Sequence, residues 1–349
     1  MDWTRGYTAR WRLFRVDRDT WADADEVKGL ESATVELKDG ATDHLLVSGG
    51  FTVVTPQGSD VGADIYRLVL HADQGGMVER QDVATLMCEC AHRDGERGRT
   101  VNEMTGTSVL YPASVRTLAS GSYAPSGVGG LTWAAGVLRS CLIAPVVVDS
   151  ETESHLSEHV VFDVGMSALD AVWSVLDACG AIMQVTGDGV VHLLMLPTEP
   201  KLVLNRVSTK LLHPGIGEDL DLSEVPNQVV VERDGQRYEA VNDDPSSDTS
   251  TITRGYVHDH YIDSPTLVDG ETLYGHAVRQ LEELSIVQDR RTYSREWWPD
   301  VYPGDIVRGS MPSVGLDGDL RIIRQSLDCA HGIKVTEEAA KEIRMWTRR

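Results

Sequence analysis

The pattern best equipped for chemistry is His258-Asp259-His260, two imidazoles on one side of an extended segment, with Asp263 near enough to supply a third ligand. That is the donor set of a zinc or iron site. Cys88-Glu89-Cys90 likewise puts two sulfurs on one side of a strand, as a zinc site can begin, but no C-x-x-C or His pair follows at ligand spacing. Both patterns read as ordinary loop and strand side chains. Asp317-Gly318-Asp319 and Asp243-Asp244-Pro245 lack the alternate acids and distal Glu of an EF-hand and read as turns. The glycine-rich stretch 121–130 has no G-x-x-x-x-G-K-[ST] order, and no G-x-G-x-x-G joins a strand to a helix. Serines such as Ser108, in Met104-Thr105-Gly106-Thr107-Ser108, occupy no G-x-S-x-G elbow. Carboxylates are so numerous that no pair stands out as an acid/base couple. The expectation is a protein that is not an enzyme, with no catalytic, cofactor-binding or metal-binding residue and no cofactor.

Composition narrows the classes further. With 349 residues, of which 41% are hydrophobic and 25% charged, the chain is long enough for about two domains and is not disordered. Lys and Arg number 32 against 54 Asp and Glu, leaving −22 at pH 7, which repels phosphate backbones and anionic lipid. The basic concentrations at 93–99 and 344–349 are short or interrupted by acids. The longest nearly apolar run, Cys141 to Val148, contains Pro145 and falls far short of the roughly 20 residues a membrane helix needs. The N-terminus, Met1-Asp2-Trp3-Thr4-Arg5, has no continuous apolar region and does not read as a signal peptide, so a cytoplasmic start is expected. Five cysteines, an odd number, argue against a disulfide framework and read as mostly buried thiols.

The elements that would carry these residues are mostly strands. Thr8 to Val16 alternates, with Trp11 and Leu13 on one face and arginines mostly opposite, and Ser32–Leu37, Leu45–Val54, Asp64–Ala72 and Gln81–Ala91 repeat the period between Asp-Gly, Gly-Gly and Pro-Gln-Gly turns. Such a run of strands suggests a β-barrel or sandwich. Residues 112–130 are rich in Ser, Gly and Pro and read as irregular, before a helix with its stripe at Val128, Leu131, Ala135, Leu138 and Leu142. A second helix spans Ser167 to Cys179, with Ser167 and Asp170 as a capping box and Gly180 just past its end. Ala181–Thr186 and Val190–Leu196 form a hairpin about Gly187-Asp188-Gly189. Prolines 197, 200, 214 and 226 and nearby acids mark a boundary, beyond which Asn227–Glu232 and Gln236–Val241 form a second hairpin and 242–248 reads as an exposed mobile loop. A third helix begins near Glu271 with Leu273, Ala277, Leu281 and Leu284 on one face; strands follow at Asp289–Glu296, Asp305–Gly309 and Leu320–Leu327, and Thr336–Trp346 reads as a C-terminal helix by its charge order.

In this order the features resemble the central hub protein of phage tails and related contractile injection machines. Trp11-Arg12-Leu13 leading to Trp21 and Glu26-Val27-Lys28-Gly29-Leu30-Glu31-Ser32 is similar to the opening strands of siphophage hubs. Ser167 to Gly180 with the Asp188-Gly189 hairpin resembles the helix-hairpin that hubs place between their barrels. Pro226-Asn227-Gln228-Val229-Val230-Val231, Tyr261-Ile262-Asp263-Ser264-Pro265-Thr266, the helix near Ala277 and Val301-Tyr302-Pro303-Gly304-Asp305-Ile306-Val307 complete the series. The resemblance implies a mainly β fold with α+β insertions, two tube-type β-barrel domains plus smaller helix-hairpin domains. It divides the chain into a barrel at 1–110, an α+β insertion or connecting domain at 111–200, and a second barrel with a helix and C-terminal segment at 201–349. It implies a structural virion protein, a homotrimeric hub of the tail tip or baseplate that closes the tail tube and surrounds the DNA channel. Its implied partners are the distal tail protein or tail-tube hexamers, the tape measure protein and other tail-tip proteins. Viral DNA would pass through the lumen without specific binding, and the place of work would be the virion tail tip, after assembly in the host bacterial cytoplasm. The alternatives are a cell-wall-degrading tail-tip enzyme using an Asp/Glu pair or His258 and His260, and a carbohydrate-binding adhesin suggested by eight Trp and ten Tyr against three Phe.

Overall fold

Period-2 alternation becomes paired strand along most of the first third of the chain. The computed structural model describes every residue except 4, 58–60, 97, 151–153, 206–211, 264–271, 330–333 and 348–349. The first strands are β1 (Thr8–Val16), β2 (Asp23–Val27), β3 (Leu30–Lys38), β4 (Val47–Pro56), β5 (Asp64–Gln74), β6 (Met77–Glu96) and β7 (Arg99–Ser108). Central elements are α1 (Tyr111–Val115), β8 (Tyr123–Ala124), α2 (Gly130–Cys141), β9 (Val146–Val148), β10 (Val160–Val161), α3 (Ala168–Cys179), β11 (Ala181–Val185) and β12 (Val191–Met195). The remainder holds β13 (Pro200–Leu204), β14 (Leu212–Asp219), β15 (Gln228–Arg233), β16 (Gln236–Val241), α4 (Thr251–Arg254), β17 (Asp259–Asp263), α5 (Leu273–Leu284), β18 (Ile286–Glu296), β19 (Ile306–Met311), β20 (Leu316–Asp328) and β21 (Lys334–Arg344). Over the chain strand outweighs helix, with the helices concentrated in the central part, so the fold is mainly β with α+β additions.

The large sheet runs β14-β18-β21-β20-β3-β4-β7-β6-β5-β1-β2, with β19 also on β20 and β13 on β19. Its decisive pairing is β3 with β20, antiparallel, with Val35 opposite Leu327. Strands nearly 300 residues apart in sequence are thereby neighbours, which no local pattern announces. One face of β3, β4 and β7 is apolar, with Ala33, Val35, Leu37, Phe51, Val53 and Met104 buried, and it continues into a core shared with α2, α3 and the β11–β12 hairpin. A smaller cluster under β13, β19 and β20 contains Leu202, Leu204, Val307, Leu320 and Ile322. Beside it lies a fully buried ion pair: Arg295 Nε donates to Glu337 Oε2 at 2.8 Å, and Gln325 Nε2 donates to Glu337 Oε1 at 2.6 Å.

The Ser167 cap is as expected: its hydroxyl accepts from the Asp170 N–H at 3.0 Å, and Gly180 ends α3 in the left-handed conformation at φ 64°. Four expectations are corrected. β2, β7, β8, β9, β10, β13 and β14 are additional strands; β7 is the return arm of a hairpin from the twenty-residue β6. The stretch 112–130 is not wholly irregular, because α1 begins at Tyr111 with Pro112 at its start, where the missing N–H costs nothing. Residues 334–344 form β21 rather than a helix: the charge order suits a helix dipole, but Val335, Glu337 and Ala339 alternate inward, and Glu337 meets Arg295. The 242–248 loop exposes Asp243 and Asp248 but is tied down within, Asn242 Nδ2 donating to Ser247 Oγ at 3.0 Å and Ser247 Oγ to the Met345 carbonyl at 2.8 Å.

Two compact units divide the chain. The first comprises Met1–Ile216 with Thr292–Ala339, and the second Gly217–Arg291 with Ala340–Arg349. In the second, β15 pairs antiparallel with β16 and parallel with β17, and α5 covers Val229, Val231 and Ala240 with Ala277 and Leu281. The β15–β16 turn places Asp234 and Gly235 at φ 53° and 75°, the left-handed pair a two-residue hairpin requires. Ser264-Pro265-Thr266 and the helix start at Glu271 lie outside the described residues.

Candidate functional site

The residues singled out for chemistry do not converge. Within β17 the side chains alternate, so His260, beside Val229, and Asp263, beside Glu232, fall on opposite faces of the sheet. The His258 N–H donates to Asn227 Oδ1 at 2.8 Å, fixing the start of that strand. Among the described residues no group of three His, Cys, Asp or Glu side chains could hold a metal ion. Cys88 is buried in the core, where burial pushes its thiol up to about 12, and Cys329 is likewise pushed up to about 12. Asp319 is held by Arg308 at 2.6 Å, Asp244 caps the Ser246 N–H at 2.8 Å, and Met104 and Ser108 point into the core from β7. No described helix is long and apolar enough to cross a membrane.

What does converge is the tip of the β11–β12 hairpin, inside the first unit. The strand β6 carries one extra residue, Val83, opposite the Leu68–Val69 step of β5, and this bulge turns the backbone at Asp82–Val83 toward the hairpin. Gly187 lies against it so closely that a Cβ would overlap the Asp82 carbonyl oxygen and stand 2.9 Å from the Val83 nitrogen. Only glycine fits there. Thr85 Oγ1 donates to the Gly187 carbonyl at 2.8 Å, while the Asp188 carbonyl accepts from Trp21 Nε1 and from Arg67 Nη2, both at 2.9 Å.

Arg67 organises this junction. It is 5% exposed, and its guanidinium also donates to Thr85 Oγ1 at 3.2 Å, Asp23 Oδ1 at 2.9 Å and the Trp21 carbonyl at 3.1 Å. A buried guanidinium requires this degree of satisfaction, since one left without acceptors costs several kcal/mol. Arg80 adds a second cation, 2.7 Å from Asp23 and 2.8 Å from Asp82. None of these residues is adjacent in sequence to the hairpin they hold.

The other side of the hairpin meets Pro303-Gly304-Asp305. Gln184 Nε2 donates to the Pro303 carbonyl at 2.9 Å and to Asp305 Oδ1 at 3.2 Å. Asp305 is fully buried, and its second oxygen accepts from Lys201 Nζ at 3.0 Å and from the Tyr302 N–H at 2.9 Å. The Gly187 N–H reaches Tyr302 Oη at 3.3 Å, and burial pushes that phenol up to about 12. Arg321 closes the turn by donating to the Gly304 carbonyl at 2.6 Å. The hairpin therefore links the β5–β6 sheet to the turn that feeds β19. The sequence displayed the Asp-Gly turn and the Pro-Gly-Asp turn separately; the unannounced partners were Arg67 and Trp21, whose types alone do not say what they bind.

The junction joins backbone carbonyls with ionic side chains that are paired with one another. No family model matches the chain, and no curated protein matches it. Solved structures do. The tail protein from Neisseria meningitidis MC58 is similar with a TM-score of 0.62 at 14% identity, covering 97% of each chain. The 43 kDa tail protein of prophage MuSo2 from Shewanella oneidensis gives a TM-score of 0.61 at 10% identity, over 94% of this chain and 97% of that one. The E. coli c3393 protein, described as a type VI secretion component structurally similar to bacteriophage T4 tail proteins, gives 0.50 at 10% identity, over 92% and 76%. From end to end, this chain has the fold of the phage tail proteins and of a related type VI secretion component.

Proposed function

We propose that this protein is a structural component of a phage tail tip, a hub that assembles as a ring of three copies to close the tail tube around the DNA channel. The observation that carries the reading is the match of 97% of the chain to 97% of a tail protein. In this reading residues 1–110 and 201–349 are the two tube-type barrel domains and 111–200 the insertion between them. Two similar barrels in each of three copies would present six similar surfaces to hexameric tail parts. The partners would be the distal tail protein or tube hexamers, the tape measure protein and other tail-tip proteins, at the virion tail tip after assembly in the bacterial cytoplasm. Viral DNA would pass without specific binding, since the net charge of −22 disfavours phosphate contacts. In this reading the role is structural rather than enzymatic, in keeping with the fold shared with tail proteins.

Native mass spectrometry across a concentration series tests the ring. A species at three times 38.3 kDa, with a central hole in negative stain, supports it. A stable dimer, or clearing of peptidoglycan in a zymogram that disappears in the His258→Ala/His260→Ala variant, overturns it.

A further inference from the structure

On the side of β5, β6 and β7 that faces away from the core, Ile65 lies beside Met87, Met87 beside Thr107 and, one step along the strands, Glu89 beside Thr105. These residues form one wall of a half-enclosed cleft of about 380 Å³, completed by Arg18, Asp64 and Tyr111. Sites for small ligands have volumes of about 300–1,000 Å³. The wall is set before any ligand arrives. Ile65 is buried, the Asp64 carboxylate accepts from the Ile65 N–H at 2.9 Å and from Arg18 Nε at 3.2 Å, and Tyr66 Oη donates to the Gly62 carbonyl at 2.8 Å. A ligand that need not order its site binds at less cost. Beside Glu89, β6 gains one residue between Cys90 and His92, the kind of bulge that re-aims neighbouring side chains.

We propose that this cleft binds a neutral sugar unit. Among the described residues, the Glu89 carboxylate, the Thr105 and Thr107 hydroxyls and the Tyr111 phenol form no hydrogen bond or ion pair within the chain, so both donors and acceptors face the cleft with their capacity unspent. Its charges cancel in a chain that carries −22: Arg15 and Arg18 both pair with Asp64, and together the two cations offset Asp64 and Glu89. An anion would meet the free Glu89 carboxylate, a cation would meet Arg18, and a purely apolar ligand would cover Glu89 without giving it a donor, which is costly. A sugar ring satisfies every part of this lining. Its hydroxyls donate to Glu89 in charge-assisted bonds and exchange hydrogen bonds with Thr105 and Thr107, while its C–H face lies on Ile65, Met87 and the half-exposed Tyr111 ring. The assignment rests on this cleft alone and holds whatever the assembly the chain forms.

Saturation-transfer NMR and calorimetry on the purified full-length chain test this, with glucose, galactose, rhamnose and N-acetylglucosamine as probes, each as the free sugar and as its methyl glycoside. At least one should bind at millimolar concentration. Binding of the glycoside identifies a unit within a polysaccharide, and binding of the free sugar alone identifies a soluble sugar; either supports the site. Glu89→Gln keeps the size of the side chain and should weaken binding at least tenfold, as loss of a hydrogen bond to a charged group implies. The Thr105→Val/Thr107→Val variant should weaken it likewise. Glu103→Gln, further along β7 and outside the cleft, should leave both affinity and thermal midpoint unchanged. Binding that survives Glu89→Gln and the double variant, absence of binding by all the probes, or binding of inorganic phosphate or ammonium in their place would overturn the proposal.

Discussion

Gly187→Ala tests the hairpin junction most directly. The added methyl meets main chain, the Asp82 carbonyl and the Val83 nitrogen of β6, so no side-chain rotation relieves it and the tip must retreat. Retreat beyond hydrogen-bond range breaks Thr85 to Gly187 (2.8 Å), Trp21 to Asp188 (2.9 Å), Arg67 to Asp188 (2.9 Å) and Gly187 to Tyr302 (3.3 Å). Neutral bonds contribute about 1 kcal/mol each and a charged one roughly 1.5–3, so the expected loss is about 4–6 kcal/mol. That is a large share of the roughly 5–15 kcal/mol stability of a folded protein. Urea denaturation monitored by tryptophan fluorescence should show a lower midpoint, beside a Gly62→Ala control at a site with nothing within 4 Å of the new methyl. A loss below about 1 kcal/mol for Gly187→Ala would refute the reasoning, because it would mean that the tip tolerates displacement and its hydrogen bonds contribute little.

Gly136 lies on the exposed side of α2 with open space at its Cβ position, so Gly136→Ala should stabilise by about 0.5–1 kcal/mol, seen as a raised thermal midpoint. Arg295→Met alone strands the buried Glu337 and should cost about 3–5 kcal/mol, whereas Arg295→Met with Glu337→Leu should recover most of it in a double-mutant cycle. Burial opposes ionisation of Asp170, but hydrogen bonds from Ser167 and His44 outweigh it and hold the carboxyl below its usual range. Its folded value is depressed, so its contribution is present above the unfolded value and is lost as pH falls through the folded one. Acid titration of stability should therefore be less steep below about pH 4 in Asp170→Asn than in the wild type.

The local elements were legible because their causes are local. Ser167, Asp170 and Gly180 bound α3, Asp188-Gly189 and Asp234-Gly235 turn hairpins, and Leu273, Ala277 and Leu281 mark the apolar stripe of α5; capping, left-handed turns and 3.6-residue periodicity act within a few residues. The low density of reactive motifs and the strong negative charge were likewise plain from composition. The C-terminal strand is hidden in the sequence because its charge order satisfies a helix dipole, and only the Arg295 opposite Glu337 shows why alternation prevails. Tertiary structure alone decided that β3 pairs with β20, that Arg67 and Trp21 hold a hairpin more than a hundred residues away, and that Asp263 turns from His260. These outcomes depend on strand register and on buried donors finding acceptors, quantities summed over the whole fold, whereas residue type and spacing carry only what neighbours along the chain impose on one another.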